Sequence, residues 1–143
     1  MDSNEKPTEQ SVTRAGSDMP LQDILDGVED SIVVVDSEYR VKFVNSAALN
    51  KLGPASSIGK PCYQVLQNRD RPCSSPLWDC PLGKVLKSGS TTTVIHPIRT
   101  AGTDTYLKLT AYPLRDSAGN IKAMVELRRD VTAERELESQ LLR

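Results

Sequence analysis

All three cysteines of the chain, Cys62, Cys73 and Cys80, fall in one stretch between Gly59 and Gly83. Thiols gathered in one segment can do three kinds of work. They can pack, because cysteine is among the most buried residue types and behaves as a small apolar group. Two of them can switch between dithiol and disulfide as a redox-responsive pair. As thiolates they can bind a metal or an iron–sulfur cluster, but such a site generally wants four ligands. With three cysteines the fourth would be Asp79, the lone His96 or a group from another chain. Cys73 and Cys80 stand too far apart for a compact Cys-x-x-Cys pair, which weakens the metal reading. Ordinary packing comes first, thiol redox second and metal binding third.

Other chemistries lack their residues. His96 sits in the β-branched run TVIHPIRT, where a satisfied strand histidine is a simpler reading than an axial haem ligand. Covalent haem needs Cys-x-x-Cys-His, which is absent. A Ser-His-Asp or Cys-His nucleophile would have to use His96, and no local motif supports one. No glycine loop of the Walker or dinucleotide type is present to cradle phosphate. The chain therefore reads as non-enzymatic. Asp130 and Thr132, in RRDVT, form a different candidate. Thr132 can cap the last helix, and Asp130 can pair with a surface arginine.

The 143 residues suit one domain. Eighteen Lys and Arg against 19 Asp and Glu leave a formal net charge of −1. That argues against a whole-chain electrostatic grip on nucleic acid or anionic lipid. The longest aliphatic run, Ile32 to Val35, is far too short to span a bilayer. No signal peptide opens the chain, and an odd cysteine count does not close a disulfide framework. A reducing cytoplasm fits best.

Positioning these residues falls to short elements and one long hairpin. Residues 1–19 carry few apolar side chains and read as a disordered leader. Leu21, Ile24, Leu25 and Val28 recur at helical spacing and form an apolar stripe that needs a partner surface. SIVVVD, Ser31 to Asp36, is a buried strand, and Val41 to Val44 returns beside it. Asn45 can cap a helix over Ser46 to Leu52, with Gly53 closing it. Cys62 to Leu66 is a second short helix. Asp79 can cap a third, with Leu82, Val85 and Leu86 on one face. Thr91 to Arg99 is β-rich.

The hairpin runs from Thr105 to Thr132. Leu107, Leu109 and Ala111 alternate with Tyr106, Lys108, Thr110 and Tyr112. In the return strand Ile121, Ala123, Val125 and Leu127 alternate with Lys122, Glu126 and Arg128. Period-two alternation is that of half-buried strands, so the apolar set is expected to face the core. Asp116, Ser117, Gly119 and Asn120 supply the turn. Thr132 to Arg143 is a charged helix, with Leu137 and Leu141 hinting at a coiled-coil linker. Five strands with helices gathered between the second and third make an α+β domain, one antiparallel sheet with helices over one face.

SIVVVDSEYRVKFVNSAALNKLG, the Gly59-Lys60 step and YPLRDSAGNIKAMVELRRDVT, in this order and spacing, resemble the PAS sensor domain family. The resemblance covers roughly residues 21 to 135 and implies a five-stranded sheet in spatial order 2-1-5-4-3. Asp130-Val131-Thr132 is similar to the Asp-x-Thr signature that closes many such domains before a signalling helix. This implies a signal-coupling role for Asp130 and Thr132. Some PAS domains carry a comparable cysteine arrangement, so Cys62, Cys73 and Cys80 are the redox or metal candidates of that subgroup. PCYQVLQ is faintly similar to the photoactive cysteine motif of light-oxygen-voltage domains. An extra residue follows Cys62, however, and the flavin-holding Asn and Gln are missing, so flavin is not expected.

The expected organisation is a leader over 1–19, a PAS domain over 20–131 and the start of a signalling helix over 132–143. Its expected role is that of a cytoplasmic sensory module, a homodimer within a larger protein. It would detect a small ligand or redox state and pass it to an output domain such as a histidine kinase or transcription regulator. It would make no direct contact with nucleic acid or membrane. A structural dimerisation adaptor without ligand is the alternative, and fold alone does not choose between them.

Overall fold

The computed structural model describes residues 14–52, 57–73, 80–100 and 102–142. The apolar stripe after Pro20 forms helix α1 (Leu21–Asp26). The β-branched run that follows forms β1 (Ser31–Asp36), and β2 (Val41–Val44) pairs with it. Three short helices come next, α2 (Ser46–Leu52), α3 (Cys62–Gln67) and α4 (Pro81–Ser88). The chain then lays down β3 (Thr92–Thr100), β4 (Thr103–Arg115) and β5 (Ile121–Asp130) before leaving through α5 (Thr132–Leu141). Every pairing is antiparallel, and the strands lie in the order β2-β1-β5-β4-β3. The expected sheet order is the observed one, with β5 beside β1.

Tight turns hold the strands in register. Between β1 and β2 the Asp36 carboxylate accepts the backbone N–H groups of Glu38 and Arg40, each at 2.9 Å. Tyr39 takes a left-handed φ of 67° there. Between β4 and β5 the Asp116 carboxylate accepts from Ala118 at 2.9 Å and Asn120 at 3.0 Å. Gly119 supplies the positive φ of 87° that this turn needs.

Asn45 does more than cap. Its Oδ1 accepts from Ala48 N–H at 3.0 Å, which is the expected N-cap of α2, and also from Ile32 N–H at 2.9 Å. Its Nδ2 donates to the carbonyls of Leu25 and Asp30, both at 3.0 Å. One fully buried amide thus ties α1, β1 and α2 together. Asp26 adds a second link by accepting from Ser46 N–H at 2.8 Å.

The core lies between α2–α4 and one face of the sheet. Val33, Val35, Val41, Ala48, Cys62, Leu82, Val85, Ala111 and Met124 form it. The face of β5 turned to this core is not the one expected from its apolar residues. Val33 and Val35 stand opposite Glu126 and Met124, and Ser31 opposite Arg128. Met124, Glu126 and Arg128 therefore face the helices, while Val125 and Leu127 are half-buried on the other side. The charged pair is tolerated inside because Arg128 Nη1 donates to Glu126 Oε1 at 3.0 Å.

The start of α4 also differs from expectation. Its N-cap is Cys80, not Asp79, and the thiol sulfur accepts from Gly83 N–H at 3.4 Å. Pro81 fits the first helical turn, where its missing N–H costs nothing. Gly53, Trp78 and Asp79 lie outside the described residues, as do residues 1–13 of the leader. Neither α1 nor α5 buries a residue. Leu21, Ile24 and Val28 stay exposed, as do Leu137 and Leu141. No helix among the described residues is long and apolar enough to cross a membrane.

Candidate functional site

The three thiols converge on one small cavity. Proline-led starts put Cys62 at the head of α3 and Cys80 just before α4. Cys62, Cys73 and Cys80 line a space of about 20 Å³ with Leu66, Leu82, Leu109, Met124, Glu126 and Arg128. That is room for roughly one water. All three are free thiols. Burial pushes the Cys62 thiol up to about 12, with Cys80, Glu126 and Cys73 adding to the shift. Burial raises Cys73 as well, helped by Cys80 and opposed by Arg69. Tyr39, which meets Tyr63 edge-on at 6.2 Å, is raised first by burial and then by the three nearby sulfurs. Burial and the neighbouring sulfurs thus disfavour the Cys62 thiolate.

No group of three or more His, Cys, Asp or Glu side chains among the described residues is arranged to hold a metal ion. His96 is buried on β3 opposite Leu107, away from the lining of the thiol cavity.

Glu126 and Arg128 are the functional candidates that sequence reasoning passed over. Glu126 is 2% exposed and touches both the thiol cavity and the guanidinium. Burial raises its carboxyl above the usual range and outweighs the opposing pull of Arg128. Opposite charges at i and i+2 in a strand share a face, and that spacing was the available signal. Alternation assigned them to solvent because it weighs polarity, not pairing.

The second site is the junction of β5 and α5. Asp130 Oδ1 accepts from Thr132 N–H at 2.9 Å and from its hydroxyl at 2.5 Å. Thr132 Oγ1 in turn accepts from Tyr106 N–H of β4 at 2.9 Å. Val131 N–H donates to Tyr106 O at 2.8 Å. Arg135, one turn into α5, stacks over the Tyr106 ring at 4.7 Å from its centroid. These contacts correct both simple readings of the pair. Thr132 is the first residue of α5 and does not cap it; Val131 holds that position without a side-chain bond. Asp130 spends its carboxylate on Thr132 instead of an arginine. The Thr132 hydroxyl and backbone hydrogen bonds hold Asp130 below the usual carboxylate range, against slight burial. The outgoing helix is thus pinned to two neighbouring strands through one threonine and one aspartate.

A family model described as the PAS fold matches residues 25–136, well over half of the chain. No curated protein matches at a significant level. Solved structures agree in fold. The PAS domain of Bordetella pertussis BvgS is similar over 82% of this chain and 87% of its own, at 20% identity and a TM-score of 0.55. A sensory box sensor histidine kinase from Vibrio cholerae is similar over 78% and 89%, at 16% identity and 0.54. The Vibrio cholerae VqmA dimer, a LuxR-type receptor, is similar over 78% of this chain and 50% of its own, at 15% identity and 0.55.

Proposed function

The chain belongs to the PAS fold family, and from that premise we propose that it is a sensory signal-transduction module. It detects a small ligand or a redox state at the inner face of its sheet. It passes the change through α5 to an output domain, a histidine kinase or a transcription regulator. The module is non-enzymatic, cytoplasmic and homodimeric, and any catalysis belongs to its output partner. The exposed apolar positions of α1 and α5 supply dimer contacts, which bury on association what the single chain leaves in water.

One observation carries the reading, the Asp130–Thr132–Tyr106 junction. Helix α5 buries none of its own residues, so its position depends on how β4 and β5 end. Two arrangements of those ends would give two arrangements of the helix, which two-state coupling requires. Arg128 and Glu126 lie on the same strand, within four residues of Asp130, so a change at the inner face has a short path to the junction.

The test fuses the chain through Leu141 to a histidine-kinase catalytic core in a series of helical registers. Output that varies with register, and that changes when Asp130→Ala and Thr132→Ala are introduced together, is the expected result. Output indifferent to both would remove the junction from any signal path. The dimerisation adaptor remains as a second reading because the thiol cavity is so small, about 20 Å³. It predicts a dimer whose output ignores every ligand and oxidant.

A further inference from the structure

A second cavity lies on the inner face, between α2 and the sheet. It offers about 180 Å³ and is lined by Ser31, Ala48, Lys51, Leu52, Leu107 and Arg128. An apolar cavity of roughly 150 Å³ is enough for benzene, so a small organic molecule fits here. The polar lining is made of donors and holds no carboxylate. Ser31 is 2% exposed, and its hydroxyl has no hydrogen-bond partner among the described residues. A buried hydroxyl without a partner is unusual and calls for an explanation. Arg128 stands directly across from Ser31 in the β1–β5 register, with its side chain 13% exposed. Only its Nη1 is engaged by Glu126, and a guanidinium has five N–H donors. Lys51 brings a second cation from the last turn of α2.

The acidic groups nearest this cavity are already committed. Glu126 is held by Arg128, and the Asp130 carboxylate, which feels the charge of Lys51, accepts two bonds from Thr132. Ala48, Leu52 and Leu107 make the remaining walls apolar. We propose that this cavity binds a small monocarboxylate. Its carboxylate would lie between the Ser31 hydroxyl, the free edge of Arg128 and the Lys51 ammonium, with its apolar body against Leu52 and Leu107. The assignment deepens the sensory reading by naming the ligand class. It also gives the ligand a handle on signalling, because the incoming anion engages Arg128, two residues before Asp130.

The experiment is amide-resolved NMR of the chain titrated to 10 mM with isobutyrate and with benzoate. The neutral controls are isobutyramide and benzamide, and inorganic phosphate is a third arm. The expected result is a saturable shift at the Ser31, Lys51 and Leu107 amides with a carboxylate and none with its amide. Lys51→Gln, an exposed change that leaves the core untouched, weakens binding by roughly tenfold, and Ser31→Ala weakens it severalfold. Three results overturn the proposal: no saturable shift at those amides, an equal shift with the amide or with phosphate, or affinities unchanged in both variants. Binding is read on the chain itself, so its failure leaves the junction test standing. Failure of the junction test in turn leaves binding intact.

Discussion

Replacing Thr132 by Val removes one hydroxyl and leaves the shape nearly unchanged. Two hydrogen bonds go with it, the one accepted from Tyr106 N–H at 2.9 Å and the one donated to Asp130. A buried or half-buried hydrogen bond contributes about 0.5–1.5 kcal/mol net, and one to a carboxylate somewhat more. Asp130 is exposed, so water replaces much of that second term. About 1–2 kcal/mol of junction strength is therefore lost, a factor of roughly 5–30 in local opening. Little else holds α5. The Arg129–Glu134 pair is 3.8 Å apart and exposed, which contributes next to nothing. The Arg135–Tyr106 stack is worth about 0.5–1 kcal/mol at such a site. Native-state hydrogen exchange is the assay. Protection of the Tyr106 and Thr132 amides should fall by that factor, while the central β1 amides of Val33 and Val35 hold theirs. Thr132→Ser, which keeps the hydroxyl, should restore most of it. Unchanged protection at Tyr106, or a loss spread evenly through β1, would refute the view of the junction as a local clasp. Because Asp130 has a lowered pKa, its contribution is present above the usual carboxylate range. It disappears as the pH falls through the folded value. Acid should loosen Tyr106 in the native chain and much less in Asp130→Asn.

Four further outcomes follow from the interior. Glu126→Ala leaves the Arg128 guanidinium buried without its partner and should cost about 3–5 kcal/mol in urea unfolding; replacing both residues by Met should recover most of the loss. Burial raises the Glu126 carboxyl, so the native chain should lose some stability as the pH climbs from the ordinary carboxylate value to the folded one, and Glu126→Gln should flatten that slope in pH-resolved urea titrations. With burial pushing its thiol up to about 12, Cys62 should react with iodoacetamide far more slowly than an unhindered cysteine at pH 8. Peptide mapping checks this, and fast native-state labelling of Cys62 would refute its place in the core. Asn45→Ala removes a helix cap and strands Ile32 N–H and the Asp30 carbonyl, so about 3–5 kcal/mol should disappear in the same urea assay.

Local chemistry made much of the architecture legible. β-branched SIVVVD, the Asp116–Asn120 turn and the alternation of β4 are short-range signals, read correctly without knowledge of neighbours. The order of elements, with helices between the second and third strands, pointed to one antiparallel sheet; its strand order was implied by the resemblance to the PAS sensor domain family and is the observed one. Asn45 as a cap was legible for the same reason, since capping is decided within four residues. Its bonds to Leu25 and Asp30 were not, because they depend on where α1 comes to rest.

The site divides along the same line. Sequence alone determined that three thiols share one segment and that Asp130 and Thr132 stand where the last strand gives way to a helix. Only the folded chain decided that Glu126 and Arg128 point inward. Alternation names two faces but not which one the helices cover. The register of β5 against β1 chose the face carrying Met124, Glu126 and Arg128, and the ion pair made that choice tolerable. Tertiary structure likewise moved the cap of α4 from Asp79 to Cys80 and turned Thr132 from a helix cap into a bond to Tyr106. Ser31 owes its buried hydroxyl to the same cause, since what surrounds a side chain is set by strands and helices far away in the chain.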